Sequence, residues 1–192
     1  MIELNKSLKD LKLDSTWTLF LDRDGVINKR IVDDYVKQWE EFHFLPGVLE
    51  AIASFSAFFK RVFVVTNQQG IGKGLMNESD LKSIHAKMIE EIKAAGGNID
   101  KVYYCPALRS ENSPLRKPAP GMAYQAQADY NDISLEKSIM IGDSASDIAF
   151  GKNSGMITVL AELQSFEVGY SDSNPDFIIK DLLSFAFQLK QL

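Results

Sequence analysis

Asp22 and Asp24 stand one residue apart in the run Phe20-Leu21-Asp22-Arg23-Asp24-Gly25-Val26-Ile27-Asn28, where an apolar stretch from Trp17 to Leu21 gives out. Side chains alternate along an extended strand, so the two carboxylates share one side and Arg23 takes the other. Such a pair can divide labour, one carboxylate attacking an electrophile while the other moves protons, and both offer hard oxygen ligands to a cation. The same Asp-x-Asp-Gly tetrapeptide also serves simply to end a strand, because Asp and Gly are common turn residues. The rest of the chain favours chemistry. Val62 to Val65 runs into Thr66-Asn67-Gln68, Ser138 to Ile141 runs into Gly142-Asp143-Ser144-Ala145-Ser146-Asp147, and Arg116-Lys117-Pro118 lies between them. Polar residues gathered beyond the carboxyl ends of strands lie where open α/β sheets bind ligands.

The elements that must position these groups follow from periodicity. Pro46 to Lys60 carries Val48, Leu49, Ile52, Phe55 and Phe59 at helical spacing, and a second helix is expected from Glu78 to Ala95. Asn77 is its expected N-cap, Leu81, Ile84, Met88, Ile89 and Ile92 its buried stripe, and Gly96-Gly97 its stop. A strand at Lys101–Cys105, a loop to Pro120, a helix over Gly121–Tyr130, the strand Ser138–Ile141, a helix over Ser146–Ser154 and a strand at Ile157–Leu160 come next. After a looser stretch rich in Ser, Asp and Gly, Phe177-Ile178-Ile179 reads as a last strand and Asp181 to Leu192 as a closing helix. Strand and helix alternate throughout, which predicts an α/β fold: a three-layer, Rossmann-like parallel sheet with helices on both faces. The Gln68-Gln69-Gly70-Ile71-Gly72-Lys73-Gly74 run lacks the Gly-Lys-Ser/Thr ending of a nucleotide-binding loop and reads as a flexible connector.

Composition sets the class. With 192 residues, 45% hydrophobic and 24% charged, one domain spanning 1–192 can bury roughly 70% of its unfolded surface. Met1 to Asp14 carries Glu3, Lys6, Lys9, Asp10 and Lys12, which breaks any signal-peptide core, and no later run approaches the roughly 20 apolar residues of a membrane span. A cytoplasmic location is expected, and the single cysteine, Cys105, agrees with a reducing compartment. The net charge of −5 argues against a polyanionic partner such as nucleic acid. His85, between Ile84 and Ala86 on a helix, is expected to be structural, and His43 to be packed or partly exposed.

Taken together, Asp22-Arg23-Asp24, Thr66, Lys117 and Gly142-Asp143 resemble, in order, the four motifs of the haloacid dehalogenase superfamily of phosphohydrolases. Relatives with a cap domain insert it between the first and second or the second and third motifs. Here those intervals hold only a loop and one or two elements, so a capless fold with an open site is expected, shaped by the segments Asn28 to Phe44 and Pro106 to Leu115. Hydrolysing a phosphate monoester requires charge neutralisation and a positioned nucleophile. Asp22 is the expected nucleophile, forming an aspartyl phosphate. Asp24 is the expected general acid and base, a role that calls for a pKa raised toward neutrality. Magnesium suits an all-oxygen site of the Asp22 side chain, the Asp24 carbonyl and Asp143. Lys117 adds positive charge, the Thr66 hydroxyl and Asn67 amide can hold phosphoryl oxygens, and Asp147 is expected to orient Lys117 or the metal's surroundings.

Finer features resemble the bacterial D-glycero-D-manno-heptose 1,7-bisphosphate 7-phosphatases and the related histidinol-phosphate phosphatases. They include Tyr35-Val36, Pro46-Gly47-Val48, Thr66-Asn67-Gln68 with Gly70-Ile71, Tyr103-Tyr104-Cys105-Pro106, Arg116-Lys117-Pro118 with Pro120-Gly121-Met122, and Ile141-Gly142-Asp143. The resemblance implies a small sugar bisphosphate as substrate, with Arg116 contacting its distal part. Those relatives usually hold a structural zinc before Arg-Lys-Pro through a Cys-x-His and a Cys-x-Cys. Here Cys105 stands alone and Ala107 replaces the His, so no zinc is expected and Cys105 becomes a small buried hydrophobe. Histidinol phosphate, another small phosphate ester, a 3′-phosphorylated polynucleotide, or a catalytically silent binding role stay open as alternatives. An open site permits a monomer.

Overall fold

The computed structural model describes residues 11–162 and 173–191; most of the amino-terminal segment judged against a signal peptide, most of the looser stretch before the last strand, and Leu192 lie outside them. Six strands form one sheet: β1 (Thr18–Leu21), β2 (Arg61–Asn67), β3 (Lys101–Cys105), β4 (Ser138–Gly142), β5 (Ile157–Ala161) and β6 (Phe177–Ile179). Their spatial order is β3-β2-β1-β4-β5-β6, and every pairing is parallel, as predicted. Among the described residues the α-helices are α1 (Val48–Phe58), α2 (Gln69–Gly72), α3 (Glu78–Ala94), α4 (Gly121–Asp129), α5 (Ala145–Asn153) and α6 (Leu182–Leu189).

The inner strands β1, β2, β4 and β5 are buried on both faces, and their alternation feeds two separate cores. Leu19, Leu21, Val62, Val64, Ile139 and Ile141 face a cluster with Val48, Ile52 and Phe55 of α1, Leu81, Ile84 and Met88 of α3, and Phe185 and Leu189 of α6. Phe20, Phe63, Val65 and Met140 point the other way, onto Met122, Ala123 and Ala126 of α4 and Phe150 of α5. Period-two alternation between two apolar layers is what a sheet covered on both faces requires. Asn77 caps α3 as predicted, accepting from the Asp80 amide at 3.0 Å while Asp80 Oδ2 accepts from the Asn77 amide at 2.9 Å.

Several boundaries differ from the sequence reading. Trp17 precedes β1, and α1 is confined to Val48–Phe58. Thr66 and Asn67 are the last residues of β2, paired with Tyr104 and Cys105 of β3, so they project from the sheet itself. The glycine-rich run is no connector. Gln69–Gly72 forms the short helix α2, and Gly72 packs so close to the Pro106 carbonyl that a side chain there would collide with it. Among the described residues no helix is long and apolar enough to cross a membrane.

Candidate active site

The site lies where the strand order reverses. From β1 the chain moves outward to β2 and β3, then returns to place β4 on the other side of β1, and the carboxyl ends of β1 and β4 diverge into the crevice that open α/β sheets use for ligands. Asp22 prolongs the β1 ladder by donating its amide to the Ile141 carbonyl at 2.9 Å. The chain then turns sharply, with the Arg23 carbonyl accepting from the amides of Ile27 at 2.8 Å and Asn28 at 3.0 Å. Gly25 makes that turn possible. Its φ of +94° lies in the left-handed region, and a Cβ there would fall inside the Asp143 carboxylate.

Lys117 ties three elements together. Its Nζ lies 2.7 Å from Asp22 Oδ1, 2.6 Å from Asp147 Oδ1 and 2.8 Å from the Val65 carbonyl. Burial alone would pull its pKa down, but the charges of Asp147 and Asp22 outweigh it and hold it above the ordinary lysine range. Its backbone is fixed by Asn67, whose side-chain oxygen accepts from the Lys117 amide at 3.0 Å and whose nitrogen donates to the Lys117 carbonyl at 3.1 Å. The other oxygen of Asp147 accepts from the Ser144 amide at 3.1 Å and the Ser144 hydroxyl at 2.6 Å at the start of α5. Gly142 leaves room for Asp147, because a Cβ there would overlap that side chain. Asp147, expected to orient Lys117 or the metal's surroundings, is thus in direct contact with Lys117.

Asp24 departs from expectation. Burial raises its pKa, but the Arg23 guanidinium charge and donors from Arg23 (2.9 Å), Asn28 (3.0 Å) and Gln68 (2.8 Å) outweigh burial and hold it below the ordinary carboxylate range. The raised pKa predicted for a general acid is therefore overturned in this arrangement. Arg23 itself is fully buried, and its Nη1 lies 3.1 Å from His85 Nε2 on α3. Burial and the Arg23 charge push the His85 pKa down to about 3, so the ring is neutral and Nε2 accepts the hydrogen bond. His85 is structural as expected, and it anchors the arginine that clamps Asp24. His43 is exposed.

On the other side, burial and the charges of Asp147 and Asp22 push Asp143 up to about 8, with Arg30 and Lys117 opposing; burial and Asp147 likewise hold Asp22 at about 6, against Lys117. Oxygens of Asp22, Asp143 and Asp147 lie within 4.8 Å of one another. Carboxyl oxygens crowded this closely, two of them on groups pushed toward their protonated forms, fit a divalent magnesium ion, whose charge would favour the ionised carboxylates.

A cavity of about 370 Å³ opens over these groups. Asp22, Asp24, Thr66, Asn67, Arg116, Lys117 and Asp147 line it together, as the sequence reading required, whereas Asp143 sits behind Arg30 and is not part of the wall. Arg116 also donates to the Ala107 carbonyl at 3.2 Å. Tyr35 lines the cavity, its hydroxyl accepting from Gln69 at 3.0 Å, but Trp39 and Phe42 stack on each other at 5.0 Å between ring centroids and pack the flap. Cys105 is buried at the end of β3. Sequence reasoning missed the roles of Gln68, whose nitrogen also donates to Thr66 Oγ1 at 2.8 Å, of the Asn67 side chain, which holds the Lys117 backbone, and of Arg30, which meets Asp143. Adjacency to Thr66 signalled the first two; a lone arginine in a polar loop gave no signal.

The HAD-hydrolase-like family model matches residues 114–185. A D-glycero-α-D-manno-heptose-1,7-bisphosphate 7-phosphatase of Mycobacterium tuberculosis H37Rv is 42% identical over 137 residues, covering 71% of this chain and 72% of the relative. A D-glycero-β-D-manno-heptose-1,7-bisphosphate 7-phosphatase of Helicobacter pylori 26695 is 35% identical over 154 residues, covering 80% and 87%. The crystal structure of D,D-heptose 1,7-bisphosphate phosphatase from B. bronchiseptica, complexed with magnesium and phosphate, superposes with a TM-score of 0.81 at 31% identity, covering 91% of this chain and 98% of that one.

Proposed function

The chain belongs to the heptose-1,7-bisphosphate 7-phosphatase family of HAD-like phosphatases, and from that premise we propose that it removes the 7-phosphate of a D-glycero-D-manno-heptose 1,7-bisphosphate through an aspartyl phosphate on Asp22. The observation that carries this reading is Lys117 Nζ, seated between Asp22 and Asp147 at the wall of the cavity. The Asp22 side chain, the Asp24 carbonyl and Asp143 would hold magnesium. Bound there, the ion would neutralise phosphate charge and let a carboxylate approach it.

In the first half-reaction an Asp22 oxygen attacks phosphorus, the bond from phosphorus to the sugar oxygen breaks, and the leaving oxygen takes a proton from Asp24. In the second, water attacks phosphorus, Asp24 accepts its proton, and Asp22 is released with inorganic phosphate. The clamp of Arg23, Asn28 and Gln68 favours the ionised Asp24 that the second half needs and opposes the protonated form that the first needs. Thr66 Oγ1 and the Asn67 amide stand ready for phosphoryl oxygens, and Arg116 for the distal part of the substrate.

Asp33 and Asp34 on the cavity wall, beside Asp22 and Asp24, disfavour a polynucleotide. Cys105, buried in the second core, and His85, engaged with Arg23, support a site without zinc. The single cysteine supports a cytoplasmic location.

The test is phosphate release with magnesium from both heptose 1,7-bisphosphate anomers, histidinol phosphate, hexose and nucleoside phosphates and a 3′-phosphorylated oligonucleotide, with Asp22→Asn as control. One heptose anomer should lead by at least a hundredfold in kcat/KM, and the variant should be inactive. Preference for another compound would overturn the substrate, and an active variant the nucleophile.

A further inference from the structure

Arg30 projects from the flap and its Nη2 lies 2.8 Å from Asp143 Oδ1 and 3.4 Å from the Asp24 carbonyl oxygen. These are two of the three protein oxygens assigned above to magnesium. Magnesium binds oxygen at 2.0–2.1 Å and demands near-octahedral geometry, so a guanidinium nitrogen converging on the same two oxygens would sit in the ion's own coordination shell. Two cations so placed repel each other, and one must yield. The divalent ion carries the greater charge, and the guanidinium sits on a long, flexible stem whose side chain is 29% exposed. Arg30 also lines the cavity, together with Asp33, Asp34, Tyr35 and Thr66.

We propose that Arg30 alternates between two posts. It is the counter-cation of Asp143 and the Asp24 carbonyl, and when magnesium takes those oxygens it turns its guanidinium into the cavity as a ligand for an anionic group of the substrate. A guanidinium suits the second post because its planar fork matches phosphate oxygens. A bisphosphate brings one phosphate beyond the one transferred, and Arg30, which lines the same cavity as Arg116, would join Arg116 in receiving it. This half of the inference rests on the bisphosphate reading above, whereas the exchange with magnesium does not.

Magnesium binding to the full chain, measured by calorimetry without substrate, tests the exchange. Arg30→Gln removes the competitor and should bind magnesium at least threefold more tightly than the unsubstituted chain. Arg30→Lys keeps the charge but loses the fork, and should fall between them; it carries the same test if Arg30→Gln does not fold. Equal or weaker magnesium binding in the folded variants overturns the proposal. At saturating magnesium, Arg30→Gln should lose at least tenfold in kcat/KM for heptose 1,7-bisphosphate, mostly through KM. A loss confined to kcat, or none, overturns the substrate post. If the unsubstituted chain does not hydrolyse the bisphosphate, the functional reading fails, while the calorimetry still decides whether Arg30 and magnesium compete.

Discussion

Lys117 Nζ lies 2.7 Å from Asp22 Oδ1, an ion pair in which both side chains are buried at the end of the central strand. The lysine comes from a loop some 95 residues downstream, and Asn67 and the Val65 carbonyl hold it there. Buried charges need such partners, because desolvation costs each several kcal/mol.

Lys117→Met should therefore damage folding and chemistry together. It leaves Asp22 and Asp147 as neighbouring buried carboxylates without their shared cation, and breaking a buried pair in this way costs about 3–5 kcal/mol. Urea denaturation should show that loss, and phosphate release should fall at least about a hundredfold, as when an electrostatic group is removed from an active site. A variant with near-normal turnover would show that Lys117 is only structural.

Gln68→Leu removes one of the donors that hold Asp24 ionised. The Asp24 pKa should rise, since a hydrogen bond to the charged form has been lost. With Asp24 as the acid of the first half-reaction, the alkaline limb of kcat/KM should move to higher pH. An unmoved limb would mean that another group governs it.

Gly25→Ala should weaken both the fold and magnesium binding. Positive φ costs an alanine on the order of 1–3 kcal/mol, and its Cβ would collide with the Asp143 carboxylate. Denaturation should report a loss of that size, while calorimetry should find magnesium affinity lowered at least about tenfold. Unchanged affinity would remove Asp143 from the metal site.

His85 gives the fold a pH dependence with a definite sign. Its pKa is 6.5 when unfolded and about 3 when folded, so between these values the unfolded chain binds the extra proton and stability falls as pH falls. One proton is worth about 1.4 kcal/mol per pH unit, hence about 2 kcal/mol between pH 6.5 and 5. Asp22 and Asp143, whose folded pKa values of about 6 and about 8 lie above the ordinary carboxylate value, act in the opposite direction as pH falls toward 4. His85→Gln keeps an acceptor for Arg23 without the titration, and those carboxylates are common to both proteins. The difference between the two stability curves should therefore isolate the histidine, and parallel curves would show that His85 is not neutral and buried in solution.

How far the sequence carries depends on the range of the interaction. The parallel sheet was legible because alternation of strands and helices is local and because Leu19, Phe20 and Leu21 already show apolar residues on both faces of β1. The Asn77 cap was legible for the same reason, its partner Asp80 being three residues away. Asp22, Asp24, Thr66, Lys117 and Asp147 could be gathered from the sequence because each follows a strand-like run or an ordered motif, and parallel strands bring those ends to one edge.

Only the tertiary structure decided the electrostatics. That Asp24 is held ionised depends on Arg23 and Gln68 reaching it at once, and Arg23 in turn on a histidine of α3, 62 residues away. That Arg30 meets Asp143 depends on a contact spanning 113 residues. A carboxylate's protonation state is the sum of burial and every nearby charge, and neither can be read until the chain has folded and brought them together.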